Sequence, residues 1–241
     1  MKPRVLLNRV DRQVIASVTA FQAAGFDAYG LPCEFIKPLA LDPPATQWIA
    51  DLDQFTHVIL TSPTAADCFD EVVTDRWVQW PMGVRLWAVG PGTAAAYRGD
   101  GPTPQCPDQG VGAQALISTL VTVCLPSERI LVATGVDGGH AFEVLPNVQR
   151  MVLFTRTPTC PEWPHPMTWG ADDVLVHGSE QLLIQCVRCF AQLIPRFWQM
   201  RHVVTNARAV SHLPTGTRYY LIEAPTPEAV RRALAEEADD V

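Results

Sequence analysis

The stretch that decides the fold is "HVILTSPTAADCF", residues 57–69. An apolar run, Val58 to Leu60, predicts a buried strand, and the helical pattern after Ala65 predicts a helix. Between them stand Thr61, Ser62, Pro63 and Thr64, side chains that contribute little to a core. A strand, a polar turn and a helix in this order are typical of α/β proteins. The question is what the polar turn binds.

The same alternation recurs along the chain. Apolar runs precede polar or glycine-bearing turns near residues 5–9, 86–93, 130–135, 174–179 and 202–206. Strands that alternate with helices predict parallel sheets covered by helices. The runs at 58 and 174 are offset by 116 residues (174 minus 58), and the runs at 86 and 202 share this offset. The runs at 5 and 130 are offset by 125 residues (130 minus 5). We therefore expect one arrangement built twice.

Composition and charge exclude several classes of protein. The chain has 241 residues, of which 48% are hydrophobic and 18% charged, so it can bury one large or two small cores. Its formal net charge is −7, whereas nucleic acids and anionic membranes attract a basic surface. The amino-terminal apolar run is too short for a signal peptide, and no segment has the apolar length of a membrane span. We expect a cytoplasmic protein with no nucleic-acid or membrane partner.

The cysteines predict reduced thiols. There are seven of them, an odd number without regular spacing, which in a chain of this length is typical of cytosolic proteins rather than of a disulfide framework. Cys186 and Cys189 form a C-x-x-C motif inside a predicted helix, where cysteines serve as small core residues. The six histidines have no metal-site spacing, so we expect no metal.

Polar residues follow nearly every predicted strand. In open parallel sheets ligands bind beyond the carboxyl ends of the strands, where hydroxyls, glycines and free backbone N–H groups hold anions. The alternative is that each Ser or Thr is an ordinary helix N-cap. The "GPG" at 90–92 lacks the rest of a dinucleotide motif, so we expect no cofactor. The candidate binding residues are Arg9, Thr61, Ser62, Pro63, Thr64, Gly90, Gly92, Thr93, Thr134, Gly135, Phe154, Gly178, Ser179 and Asn206.

Six ordered segments carry a resemblance to a known family. They are "VLLNR", "AAGFDAYGLPCEFIKPL", "FTHVILTSPTAADCF", "LWAVGPGTAAA", "ILVATGVDGGHAFEVL" and "VQRMVLFTRTP". Together the segments resemble the uroporphyrinogen-III synthase family over nearly the whole chain. The most specific of them are the strand that leads to Thr61 and Ser62 and the "AVGPGTAAA" turn.

The resemblance implies a fold of two doubly wound parallel α/β domains (flavodoxin- or Rossmann-like) joined by a two-stranded linker. Domain 1 would be discontinuous, with residues 1–36 plus 165–241. Residues 45–153 would form domain 2, and residues 37–44 and 154–164 would be the linkers. The strand-end turns of both domains would then line a cleft between them. A monomer is expected from the family.

The resemblance also implies an activity. Members of the family cyclise hydroxymethylbilane, a linear tetrapyrrole, to uroporphyrinogen III with inversion of ring D and loss of water. This would make the protein a hydro-lyase of haem biosynthesis. The acetate and propionate groups of the substrate fit the anion-binding turns predicted above.

Two departures from the family pattern bear on the chemistry. A tyrosine of the returning linker strand, thought to assist hydroxyl loss, corresponds here to Phe154. A Thr-Ser pair common in the second half is replaced by His177-Gly178-Ser179, which makes His177 the candidate proton donor. The Phe154 departure favours an alternative function, a noncatalytic two-domain binder of an anionic small molecule or tetrapyrrole.

Overall fold

A computed structural model describes residues 4–164, 169–194 and 196–239. Nine strands lie in this part of the chain: β1 (Arg4–Val10), β2 (Asp27–Pro38), β3 (His57–Leu60), β4 (Arg85–Ala88), β5 (Ile130–Gly135), β6 (Val148–Pro158), β7 (Val174–His177), β8 (Arg201–Val204) and β9 (Tyr219–Leu221). The α-helices are α1 (Asp11–Ala23), α2 (Pro43–Ala50), α3 (Pro63–Thr74), α4 (Pro91–Ala96), α5 (Ala113–Val123), α6 (Glu180–Phe190), α7 (Ala207–Val210) and α8 (Pro227–Asp239).

The chain divides into two compact units. Unit 1 consists of Met1–Ile36 and Thr157–Val241, and unit 2 consists of Lys37–Arg156. Strands β2 and β6 run through the two points at which the chain passes from one unit to the other. The predicted domain boundary at residue 165 and one of the six histidines, His165, lie outside the described residues.

The two units have the same strand order. In unit 1 the order is β8-β7-β1-β2, with β9 added beside β8, and in unit 2 it is β4-β3-β5-β6. The pairings within each unit are parallel. The equivalent strands are those that the sequence offsets matched, so the repeated arrangement and the parallel α/β fold class are confirmed.

Each unit has a core made from strands that are apolar on both faces. In unit 1, Val5, Leu7, Val174 and Val176 are fully buried and pack with Phe21 of α1. The core of unit 2 groups Ile59, Val132 and Trp87 with two residues of α5, Leu116 and Leu120. Such near-continuous apolar strands are expected where helices cover a parallel sheet. None of the described helices has both the length and the apolar composition of a membrane span.

Local interactions explain where two helices begin and end. Gly25, with φ of +88°, follows the last turn of α1. Asp11 is the first residue of α1, and its carboxylate accepts a hydrogen bond from the backbone N–H of Ile36 at 2.9 Å. Helix α2 begins at Pro43, because the Asp42 side chain accepts from the Ala45 N–H at 2.8 Å and caps it.

The expectation that all cysteines are reduced is wrong for two of them. Cys160 and Cys189 form a disulfide within unit 1, with Cα atoms 5.4 Å apart. The bridge joins the segment after β6 to the last turn of α6. Cys186 and the other four cysteines are free. Both cysteines of the C-x-x-C motif are buried in a helix, as expected, but Cys189 pairs with a distant cysteine whose proximity arises only from the fold.

Candidate anion-binding turns

The strand-end residues of unit 2 lie side by side. Leu60 at the end of β3 pairs with Ala88 of β4 on one side and with Ala133 of β5 on the other. The turns after these strands therefore meet at one edge of the sheet. The Thr61 hydroxyl donates to the carbonyl of Ala133 at 2.9 Å, which joins the turn after β3 to strand β5.

Several predicted binding residues are helix N-caps. The side chain of Ser62 accepts from the Ala65 N–H at 3.1 Å and begins α3. Ser179 accepts from the Leu182 N–H at 3.3 Å, and Asn206 accepts from the Ala209 N–H at 2.9 Å. The N-cap alternative is thus correct for these side chains. The first N–H groups of α3 and α6 still lack intrahelical partners, so each turn presents partial positive charge at the sheet edge.

Pro63 begins α3 and is half-buried, while the other predicted positions around the turns differ in exposure. Thr64 and Thr93, both in first helical turns, are 3% and 4% exposed and lie within the core of unit 2. Gly90 is buried and Gly92 is exposed. Backbone groups, rather than these two hydroxyls, therefore form the surface of the turns after β3 and β4.

Gly135 and Phe154 are in close contact. They are paired residues of β5 and β6, at a register shift that follows Thr134. A Cβ added to Gly135 would lie 2.8 Å from the Phe154 ring, so glycine is required for this ring to pack against the strand end. Phe154 is 2% exposed, and the buried Thr134 hydroxyl has no hydrogen-bond partner among the described residues.

A chain of buried polar side chains crosses three neighbouring strands of unit 1, β1, β7 and β8. Asn8 Nδ2 lies 3.0 Å from His177 Nδ1, His177 Nε2 lies 3.2 Å from His202 Nδ1, and His202 Nε2 lies 3.1 Å from the carbonyl oxygen of Phe197. Because a carbonyl only accepts, His202 Nε2 carries a proton. His177 Nε2–H then donates to His202, and the Asn8 amide donates to His177. With both His177 and His202 neutral and protonated on Nε2, each of these three contacts has one donor and one acceptor.

This arrangement gives His177 a structural role. The residue is 1% exposed, and both of its ring nitrogens are engaged within the chain. Burial, together with His202 and Arg9, keeps the pKa of His177 well below its usual value, and burial lowers the pKa of His202 to about 4. At neutral pH His177 therefore holds no proton that it can release without breaking the chain of hydrogen bonds. The geometry does not favour proton donation by His177.

Arg9 is a buried cation beside this chain. Its guanidinium donates to the carbonyls of Pro225 at 3.0 Å and Asn8 at 3.4 Å, and the residue is 4% exposed. Within residues 4–164, 169–194 and 196–239 it has no carboxylate partner. Burial lowers the pKa of Arg9 to about 10, so the charge remains at neutral pH. A Cβ at Gly178 would lie 2.8 Å from Nη1 of Arg9, which places the cation against the turn that begins α6.

One group of metal-ligating residues lies elsewhere. His57, Cys124 and Glu128 of unit 2 have ligand atoms within 4.8 Å of one another. The Trp87 indole N–H donates to His57 Nδ1 at 3.0 Å, so the neutral ring holds its proton on Nε2, facing Glu128 at 3.1 Å. Burial raises the pKa of the Cys124 thiol to about 11. A metal ion would have to displace both protons, and the positions of His57 and Glu128 are explained by their hydrogen bonds.

Sequence reasoning missed the partner of His177. The spacing of the histidines does not indicate a role for His202. The available signal was that both histidines adjoin short apolar runs predicted to be buried strands, since buried polar groups need partners.

Comparisons with known proteins identify the family. The family model for uroporphyrinogen-III synthase HemD matches residues 16–147. A mutant uroporphyrinogen III synthase from Thermus thermophilus is similar in structure, with a TM-score of 0.57, 16% sequence identity, and coverage of 97% of this chain and 99% of that one. The uroporphyrinogen-III synthetase of Helicobacter pylori has a TM-score of 0.56 at 13% identity, covering 98% of this chain and 100% of that one.

At these sequence identities the two similar structures are evidence for the fold alone. The match to the family model is the evidence that the chain is a member of the family. That model covers more than half of the chain, including the polar turns after β3, β4 and β5. The chain belongs to the uroporphyrinogen-III synthase family of haem tetrapyrrole biosynthesis.

Proposed function

We propose that this protein is a hydro-lyase that closes hydroxymethylbilane to uroporphyrinogen III. The C–O bond of the hydroxymethyl group breaks and its oxygen leaves as water, so that an electrophilic azafulvene remains. The substituted carbon of ring D attacks this centre and forms a spiro intermediate. Fragmentation and reclosure of the intermediate invert ring D.

The observation that carries the proposal is the buried charge of Arg9. A guanidinium removed from water without a carboxylate partner is costly, unless an anion compensates it during function. The substrate has an acetate and a propionate on each pyrrole. A substrate carboxylate bound at the turn before α6 would be attracted by the charge of Arg9 and would accept hydrogen bonds from the first backbone N–H groups of the helix.

The turns of unit 2 supply the second anion-binding edge in this proposal. The amino ends of α3 and α4 lie at these turns, beside the half-buried Thr61 and Ser62 and the exposed Gly92. Neutral turns of this kind bind carboxylates through backbone N–H groups and need no lysine. A chain with net charge −7 can thereby bind a substrate with many carboxylates.

Restraint of the substrate is the main catalytic contribution in this proposal. The bilane closes spontaneously to the uninverted isomer, so the protein must direct ring D rather than supply a strong acid. Holding two reactive ends together can contribute several kcal/mol, about 7–11 in favourable cases. We assign no proton donor, because His177 is buried in its hydrogen-bonded chain and Phe154 has no hydroxyl.

The test is the isomer formed. Purified protein is given freshly generated hydroxymethylbilane, the products are oxidised, and the uroporphyrin isomers are separated. We expect isomer III in excess, with isomer I in a parallel sample without protein. Isomer I alone in both samples would reject the proposed reaction.

Phe154 supports one second candidate, a noncatalytic binder of a tetrapyrrole. The ring is buried against Gly135, where the family often has a tyrosine. A binder would protect hydroxymethylbilane from closure and slow the appearance of isomer I without forming isomer III. The same assay therefore separates the two functions.

A further inference from the structure

A small cavity in unit 2 is lined by aromatic rings and carboxylates. It has a volume of about 150 Å³. Its walls include Trp77, Trp80 and Tyr97, together with Asp70 and Asp100. Asp70 lies in the later part of α3, whereas the strand-end turn lies before the start of this helix. The cavity is thus separate from the turns proposed to bind the bilane.

The aromatic walls are fixed in place. The Trp77 indole N–H donates to the carbonyl of Ile49 at 2.7 Å, and the Trp80 indole N–H donates to the carbonyl of Val84 at 2.8 Å. The rings of Trp80 and Tyr97 meet edge to face with centroids 6.4 Å apart. Burial raises the pKa of Tyr97 to about 12, with a smaller contribution from Asp70, so its ring is neutral at physiological pH. Aromatic faces of this kind attract cations.

The carboxylates of the cavity have no cationic partner in the described structure. The Thr74 hydroxyl donates to Asp70 at 3.4 Å. In the described structure the exposed Arg98 forms no ion pair with Asp70 or Asp100. Partial burial raises the pKa of Asp70, the Thr74 hydrogen bond lowers it, and Asp100 and Glu71 raise it further. All the charged neighbours that shift this pKa are therefore acidic.

We propose that this cavity binds an alkylammonium cation, with its charged head between the aromatic rings and the two carboxylates. Trp and Tyr faces recognise methylated ammonium groups, and uncompensated carboxylates supply the opposite charge. The small volume admits a head group and excludes a large ligand. The proposal does not depend on the bilane reaction, because none of the cavity residues is among the candidate residues of the strand-end turns.

The backbone forms part of the cavity wall. A Cβ at Gly101 would lie 2.5 Å from the Tyr97 hydroxyl and 2.7 Å from the Trp80 ring. Gly101→Ala would therefore shift these rings while leaving every charge in place. This substitution separates the shape of the cavity from its charge.

Choline and its neutral analogue test the proposal. In the analogue, carbon replaces the quaternary nitrogen, so shape is kept and charge is removed. Protein with ¹⁵N-labelled tryptophan is titrated with each compound, and the indole resonances of Trp77 and Trp80 are followed. We expect saturable shifts with choline in the millimolar range and at least about fivefold weaker binding of the analogue.

Substitutions locate the site. Asp70→Asn and Gly101→Ala should each weaken choline binding at least about fivefold, whereas Asp75→Asn, at the exposed end of the same helix, should leave it unchanged. Circular dichroism confirms that each variant is folded. Equal binding of choline and the neutral analogue, or no saturable shift with choline, in the unsubstituted protein would overturn the proposal even if a variant failed to fold.

Discussion

His177 Nε2 lies 3.2 Å from His202 Nδ1, and the two rings stack with 14° between their planes. The contact joins β7 to β8 through side chains that are almost completely buried. Because Asn8 of β1 continues the chain of hydrogen bonds, three neighbouring strands of unit 1 are linked through buried side chains.

We predict that His177→Ala affects stability more than chemistry. The substitution leaves one amide hydrogen of Asn8 and Nδ1 of His202 without partners, at about 1–3 kcal/mol for each. Urea denaturation should show this loss, while kcat of the folded variant stays within about threefold. His140→Ala, at an exposed position, is the control. A general acid contributes about 100-fold or more, so such a fall in kcat at unchanged stability would restore His177 as the proton donor.

Stability should fall on acidification through the histidine pair. The pKa of His202 drops from 6.5 to about 4 on folding, so between these pH values the unfolded chain binds protons that the native chain does not. The free energy of unfolding is therefore highest above pH 6.5 and decreases towards pH 4. By linkage, His202 alone removes about 2 kcal/mol between about pH 7 and pH 5.

Urea midpoints measured across this pH range check the prediction. His202→Gln should show a shallower dependence on pH, and His140→Gln should follow the unsubstituted protein. Parallel curves for all three proteins would contradict it.

Arg9→Met should separate substrate binding from stability. Methionine keeps the apolar stem and removes the buried charge, so the free energy of unfolding should stay equal or rise. If Arg9 binds a carboxylate of the bilane, KM should increase about tenfold or more. Arg9→Lys, which keeps the charge, should recover part of the loss. An unchanged KM for Arg9→Met would remove Arg9 from the binding site.

Gly135→Ala should disturb the packing of Phe154 at the end of strand β5. The new methyl group would lie 2.8 Å from the Phe154 ring, which must move within a packed core. We expect a loss of about 1–3 kcal/mol in stability and a lower kcat/KM. Gly92→Ala is the matched control for the stability measurement, because nothing lies within 4 Å of its added Cβ. Two variants of equal stability would show that the contact is unimportant.

Counting the free cysteines tests for the disulfide directly. Protein denatured without reductant should take up an alkylating reagent at five cysteines, and at seven after reduction, as measured by mass spectrometry. Cys160→Ser should lower the free energy of unfolding under oxidising conditions by about 3.5 kcal/mol, given a sequence separation of 29 residues. Seven modified cysteines before reduction would show that the pair is reduced.

Local patterns predicted the fold well because the strands are short, apolar and separated by polar turns. The offset between Val58 and Val174 even identified equivalent strands, since a repeated arrangement repeats its spacing. The roles of strand-end residues were harder to predict. Ser62 and Ser179 are N-caps whether or not they bind a ligand, and sequence alone does not distinguish these roles.

Contacts between residues that are far apart in the sequence were also not predictable. Cys160 meets Cys189, and Asn8 meets His177 at a sequence separation of 169, only after the sheet of unit 1 has formed. The cavity of unit 2 likewise combines residues near 70, 80 and 100, each of which looks ordinary in its own segment.

The insertion of unit 2 within unit 1 has a consequence for biosynthesis. Residues 37–156 leave the ribosome as a continuous segment that contains β3, β4, β5 and most of β6. By contrast, β1 can pair early with β2 on one side, but β7, its partner on the other side, is translated only at residues 174–177. During translation the amino-terminal strand is therefore an unfinished edge, and the nascent chain completes its inner unit before its outer one.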